Sequence, residues 1–114
     1  MSDTGFTQDT ELTPVLFRRE KDGDITAVFP CEPANLQTMT MTCYAHIGQH
    51  SGCDYGWYLT TRPAKPAEYA DLKAELESTP YGYRLKIYQR INRRLRNKFM
   101  AEVHRLNQPV PETV

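Results

Sequence analysis

Long apolar runs are missing from this 114-residue chain. None approaches the roughly 20 consecutive apolar residues that a bilayer-spanning helix requires, so no transmembrane helix and no membrane partner are expected. No secretory leader is expected either, because Met1 to Leu12 carries acids where a signal has a basic n-region and an apolar h-region. Cysteine is sparse. Cys31, Cys43 and Cys53 are odd in number and contain no Cys-x-x-Cys pair, which argues against a disulfide framework and points to a reducing cytoplasm. There is no glycine-rich phosphate loop, no dinucleotide fingerprint and no acidic metal cluster, so no cofactor is expected.

Net charge is absent as well, but only in the sum. Residues 1–77 hold 12 acids and 6 bases, whereas residues 78–114 hold 8 bases and 2 acids. A neutral chain with one basic end still presents a strong local field to a polyanion. Hydrophobic residues at 39% and charged residues at 25% are the balance of one soluble globular domain. That domain is expected over 14–107, with a flexible arm at 1–13 and a tail at 108–114.

Periodicity supplies the elements. Val15 to Arg19 and Ile25 to Phe29 flank Asp22-Gly23, a strong hairpin signal because the turn needs positive φ. Pro30 and Pro33 are expected to close the second strand. Residues 38–47 alternate. Met39, Met41, Cys43, Ala45 and Ile47 suit a core, and Thr38, Thr40, Thr42, Tyr44 and His46 suit a solvent or ligand face. Aromatics and threonine suggest a further strand over Tyr55 to Thr61. Pro66 fits the first turn of a helix carrying Tyr69, Leu72 and Leu76 inward. Tyr83 to Arg90 alternates again. Asn92 is then the candidate cap of a last helix, to residue 107, burying Ile91, Leu95, Phe99, Val103 and Leu106. The expected fold is α+β: a mostly antiparallel sheet of about five strands in the order ββ-ββ-α-β-α, with one packed helix and a basic C-terminal helix (91–107).

Two stretches bear chemistry. His46, Gln49, His50, Cys53 and Asp54 crowd two imidazoles, an amide, a thiol and a carboxylate around Gly48 and Gly52. One reading is a metal site on His46, His50 and Cys53. Gly48 and Gly52 disfavour a helix there, and in a strand residues four apart lie about 13 Å from each other, too far for one zinc ion. Another is a small enzyme with Cys53 as nucleophile, His50 as base and Asp54 orienting it. Against both stands a purely structural loop, with Cys43 and Cys53 as small buried hydrophobes.

The basic end is the better clue. Lys86, Tyr88 and Arg90 share one strand face, so a phenol lies among cations, a pattern suited to a phosphate backbone and a stacked base. Arg93, Arg94 and Arg96 carry the charge onto the last helix. The competing expectation is a solvated face, or one paired with Glu68, Asp71, Glu75 and Glu77. The helix's apolar stripe could alternatively hold a second copy of the chain.

The chain from Val15 to about Arg90 also resembles a group of small proteins found among phages, prophages and gut-bacterial genomes. The likeness is carried by Val15-Leu16-Phe17-Arg18, Cys43-Tyr44-x-His46-Ile-Gly48-Gln49-His50, Thr61-Arg62-Pro63-Ala64 and Glu68-Tyr69-x-Asp71-Leu72 with Glu75-Leu76-Glu77-Ser78. The resemblance implies a compact phage-type accessory protein acting in a bacterial host cell, and it assigns no catalytic residue. The expectation is thus a non-enzymatic protein whose basic strand and helix bind nucleic acid or an acidic host protein.

Overall fold

The computed structural model describes residues 12–45, 50–78 and 80–107. Strand β1 (Thr13–Arg19) turns back into β2 (Ile25–Asn35) where the Asp-Gly signal lies. Gly23 sits at φ +96°, a left-handed conformation that a Cβ would strain, and Asp22 Oδ1 accepts the Asp24 amide at 3.1 Å. β2 pairs antiparallel with β3 (Thr40–Tyr44), and β3 with β4 (His50–Cys53). There follow a short helix α1 (Tyr55–Leu59), the two-residue strand β5 (Arg62–Pro63), helix α2 (Pro66–Glu77), strand β6 (Leu85–Tyr88) and helix α3 (Arg93–Leu106). The sheet runs β4-β3-β2-β1, and β1's far edge is shared. β6 lies parallel to Thr13–Leu16, and β5 lies antiparallel to Arg18 and Arg19. The fold is α+β with a mostly antiparallel sheet.

Both main helices start and pack as their sequences dictate. Pro66 opens α2, and Glu68 Oε1 accepts the Lys65 amide at 2.8 Å. Leu72 and Leu76 are buried, and the Tyr69 ring stacks on Phe17 with centroids 4.3 Å apart. Asn92 Oδ1 caps α3 by accepting the Leu95 amide at 2.8 Å, and Leu95, Phe99 and Val103 point inward. Leu106, expected inward, is exposed at the helix end.

The helices cover opposite faces. Val15, Phe17, Ala27, Phe29 and Tyr44 pack toward α2, while Leu16, Val28, Met41 and Cys43 pack toward α3. The alternating strand positions therefore feed two half-cores, each fully buried large side chain contributing about 1.5–3 kcal/mol. No helix among the described residues is long and apolar enough to cross a membrane.

Four expectations need correction. Tyr55 to Thr61 is not a strand: Asp54, in extended conformation, accepts the Trp57 amide at 2.6 Å and starts α1, overriding the β preference of the aromatics. The fourth strand is instead His50–Cys53. Pro30 and Pro33 do not end β2, because it continues to Asn35 through register shifts on either side of Pro33, where a missing amide costs no ladder bond. Tyr44, assigned to a solvent or ligand face, is buried because α2 covers that face. Thr13, assigned to the arm, belongs to β1, its amide donating to Arg84 O at 2.7 Å. The rest of the arm (1–11), the tail (108–114), and His46, Ile47, Gly48 and Gln49 lie outside the described residues.

Candidate nucleic-acid interface

A parallel pairing with β1 fixes the direction of β6's side chains. Lys86 and Tyr88 lie opposite Pro14 and Leu16, on the α3 face, and Ile87 lies opposite Val15, on the α2 face. Lys86 Nζ stands 5.8 Å from the centroid of the half-buried Tyr88 ring. Arg90 is exposed in the turn that follows, and its charge helps pull the Arg18 guanidinium below its ordinary value, second to burial among the lowering causes. Arg93, Arg94 and Lys98 are exposed on α3 and line, with Asn97 and Ala101, a shallow open groove of about 600 Å³. Arg19 and Arg62 pair with Glu68, Lys73 with Glu77, and Arg105 with Glu102; no ion pair found among the described residues engages Lys86, Arg90, Arg93, Arg94 or Lys98.

The helix start adds to this field. A helix N-terminus carries roughly half a positive charge and ordinarily attracts Asp or Glu. The first turn of α3 has no acid; it has Arg93 and Arg94, and a neutral Asn92 serves as the cap. Cations at that positive end are held at some cost in stability. The acids of 66–77 do not reach it. Glu68 and Glu77 are in the ion pairs above, Glu75 accepts from Tyr44 Oη, and all belong to α2, across the sheet from α3.

Arg96 belongs elsewhere. It is half-buried, with its guanidinium 4.9 Å from the ring centroids of both Tyr55 and Phe99, and it ties α1 to α3. Its Nη1 is buried and has no hydrogen-bond partner among the described residues.

The polar loop is divided by the sheet. Tyr44 opposes His50, so His50 points to the α2 face, where its ring packs near Phe29, Tyr44, Tyr81 and Tyr83 and its Nε2 lies 3.1 Å from Tyr83 Oη. Cys53, an odd number of residues away, packs into the α3-side core beside Met41 and Cys43. A dyad of His50 and Cys53 is therefore not assembled, and neither is the His50–Cys53 part of the metal set. Asp54 is occupied as the α1 cap. His46 and Gln49 lie outside the described residues, and among those described no group of three His, Cys, Asp or Glu side chains could hold a metal ion.

Two residues had no warning in the sequence. Arg18 is only 5% exposed yet has no carboxylate partner among the described residues. Its Nε donates to Thr61 Oγ1 at 2.8 Å, Nη1 to Gln89 O at 2.6 Å and Nη2 to Thr61 O at 2.7 Å, over the Tyr58 ring. It clamps the segments before β5 and after β6 to β1, and so sets where the basic end emerges. Cys43 is the other: the fold brings it beside Cys53 in the wall of a pocket. Comparison with protein families, curated proteins and solved structures returns no match.

Proposed function

We propose that this is a non-enzymatic accessory protein of the phage type, binding nucleic acid through its basic C-terminal strand and helix. The observation that carries the reading is the run of exposed cations without an ion pair among the described residues, from Lys86 and Arg90 to Arg93, Arg94 and Lys98. Phosphates would lie along the α3 groove and at the α3 N-terminus, with Tyr88 offering the edge of its ring to a base. Arg96 supports the surface from below by fixing α1 against α3.

The test is fluorescence anisotropy with a labelled single-stranded oligonucleotide across a salt series. Binding is expected to weaken steeply with salt, by about 0.7 in the log–log slope per phosphate contact. Replacing Arg93, Arg94 and Lys98 together by Gln should reduce that slope by about 2. No salt-sensitive binding to DNA or RNA at low ionic strength overturns the reading. Retention of an acidic protein but not of either nucleic acid would overturn it in favour of a protein partner.

A further inference from the structure

Below α1, on the α3 face, a pocket of about 430 Å³ opens between the β3–β4 edge and the end of β1. It is lined by Cys43, Ser51 and Cys53 from the strands and by Glu20, Asp54 and Trp57 at its rim. The register places Cys43 opposite Ser51 and Met41 opposite Cys53, so the cysteines are diagonal neighbours on one face of adjacent strands. Both sulfurs line the pocket, and the Ser51 hydroxyl lies 3.3 Å from Cys43 Sγ. The neighbouring Cys53 thiol first, and then the Ser51 hydroxyl, pull the Cys43 thiol below its ordinary value against the effect of burial; the proximity of Cys43, and then burial, raise Cys53. The polar neighbour at Cys43 marks it as the sulfur suited to attack, and Cys53 as the one that follows.

We propose that Cys43 and Cys53 form a two-electron thiol–disulfide centre, reversibly oxidised by small cationic or neutral disulfides that enter this pocket. The Cys43 thiolate attacks one sulfur of R–S–S–R, forming the Cys43–S–S–R mixed disulfide and releasing RS⁻. The Cys53 thiol gives its proton to that leaving thiolate. Its sulfur then attacks the Cys43 sulfur, closing the Cys43–Cys53 bond and releasing the second RS⁻, which takes a proton from water. Two electrons pass from the protein to the small disulfide, which leaves as two thiols.

Geometry makes the oxidised form labile rather than a permanent staple. Diagonal cross-strand positions lie about 7–8 Å apart at Cα, whereas a relaxed disulfide spans about 4.4–6.8 Å. Closure requires β4, a four-residue edge strand, to shift inward. A bond made under that strain is readily reduced. The rim charges set the class of oxidant. Glu20, held by the Thr26 hydroxyl at 3.3 Å and the Trp57 indole at 3.5 Å, and Asp54 supply two carboxylates, and among the described residues no Lys or Arg lines the pocket. Cys31, the third thiol, lies apart, its Sγ donating to Leu95 O at 3.8 Å, and burial raises it.

The test exposes the full chain to cystamine or to the similarly sized anion dithiodiglycolate, followed by alkylation and peptide mapping. Cystamine should consume Cys43 and Cys53 together, linking them within one chain, at least tenfold faster than dithiodiglycolate, and dithiothreitol should reverse the change. The Cys53→Ser variant should stop at a stable cysteamine adduct on Cys43. A wild-type map with Cys31 modified as fast as Cys43, or with no Cys43–Cys53 peptide, overturns the proposal without recourse to any variant. An unmodified Cys43 in folded Cys53→Ser overturns it equally.

Discussion

On one face of the sheet, α2 sets Glu68, Glu75 and Glu77 against Arg19, Arg62, Tyr44 and Lys73, so each carboxylate already has a partner within the fold. On the other, α3 carries Arg93, Arg94 and Lys98 into water with no such partners among the described residues. Composition alone would pair the acidic and basic segments, since they nearly cancel. The sheet keeps them apart, and the charge left uncancelled is left on the face with the thiol pocket and the open groove. Satisfied charges add to a fold; unsatisfied ones at a helix start subtract from it and are informative for that reason.

The sharpest way to break the comparison is to ask whether the two faces are one cooperative core. Phe99→Ala on the α3 face should cost about 3–5 kcal/mol and Leu76→Ala on the α2 face about 2–5 kcal/mol in urea unfolding. Both residues are fully buried against the same strands, so each variant should still unfold in one transition. Two transitions with different midpoints would mean that the helices report separate units.

Next in size is Arg18. Exchange for Met keeps the bulk but removes the guanidinium's bonds to Gln89 O, Thr61 O and Thr61 Oγ1, the last keeping only its own bond to Tyr58 O. The expected loss is about 1.5–3 kcal/mol, a range set by hydrogen bonds to a charged group. Hydrogen exchange should show the loss concentrated at β5 and β6 rather than spread through β2 and β3. A uniform loss would deny Arg18 its role as the clamp that positions the basic end.

How legible all this was depended on how local each cause is. α2 and α3 were readable because Pro66, Asn92 and the spacing of Leu72, Leu76, Leu95 and Phe99 act within one helix. The hairpin at Gly23 was readable for the same reason. What escaped depends on partners distant in sequence. Tyr44 is buried by a helix some 30 residues further on; α1 is the exception, since its Asp54 cap is local and the β preference of its aromatics masks it. Side-chain placement followed suit: the exposure of Arg93 and Arg94 follows from spacing within α3, whereas the packing of Arg96 on Tyr55 and the Cys43–Cys53 meeting required tertiary partners, and the β3–β4 register sends His50 the other way.

A smaller effect separates stability from binding on the α3 face. Arg94 is exposed in the first turn of α3 and meets the positive end of the helix. Arg94→Glu should therefore stabilise the protein by about 0.3–1 kcal/mol at low salt while weakening oligonucleotide binding. Loss of both would show that Arg94 has a partner within the fold.

Smallest is the residue that senses both faces. Burial, and then the Glu102 carboxylate of α3, raises Glu32 above the ordinary carboxylate value; Glu32 in turn helps raise Tyr83 on the α2 side. Because its folded value is the higher one, Glu32's favourable contribution is fully present below the unfolded value. It is lost as pH rises through the folded value. Glu32→Gln should thus leave the melting temperature unchanged near pH 4 and raise stability at pH 7 by no more than about 0.5 kcal/mol, since the side chain keeps partial access to water. A gain that persists at pH 4 would assign the effect to packing at the end of β2, and the carboxylate pair with Glu102 would have no part in it.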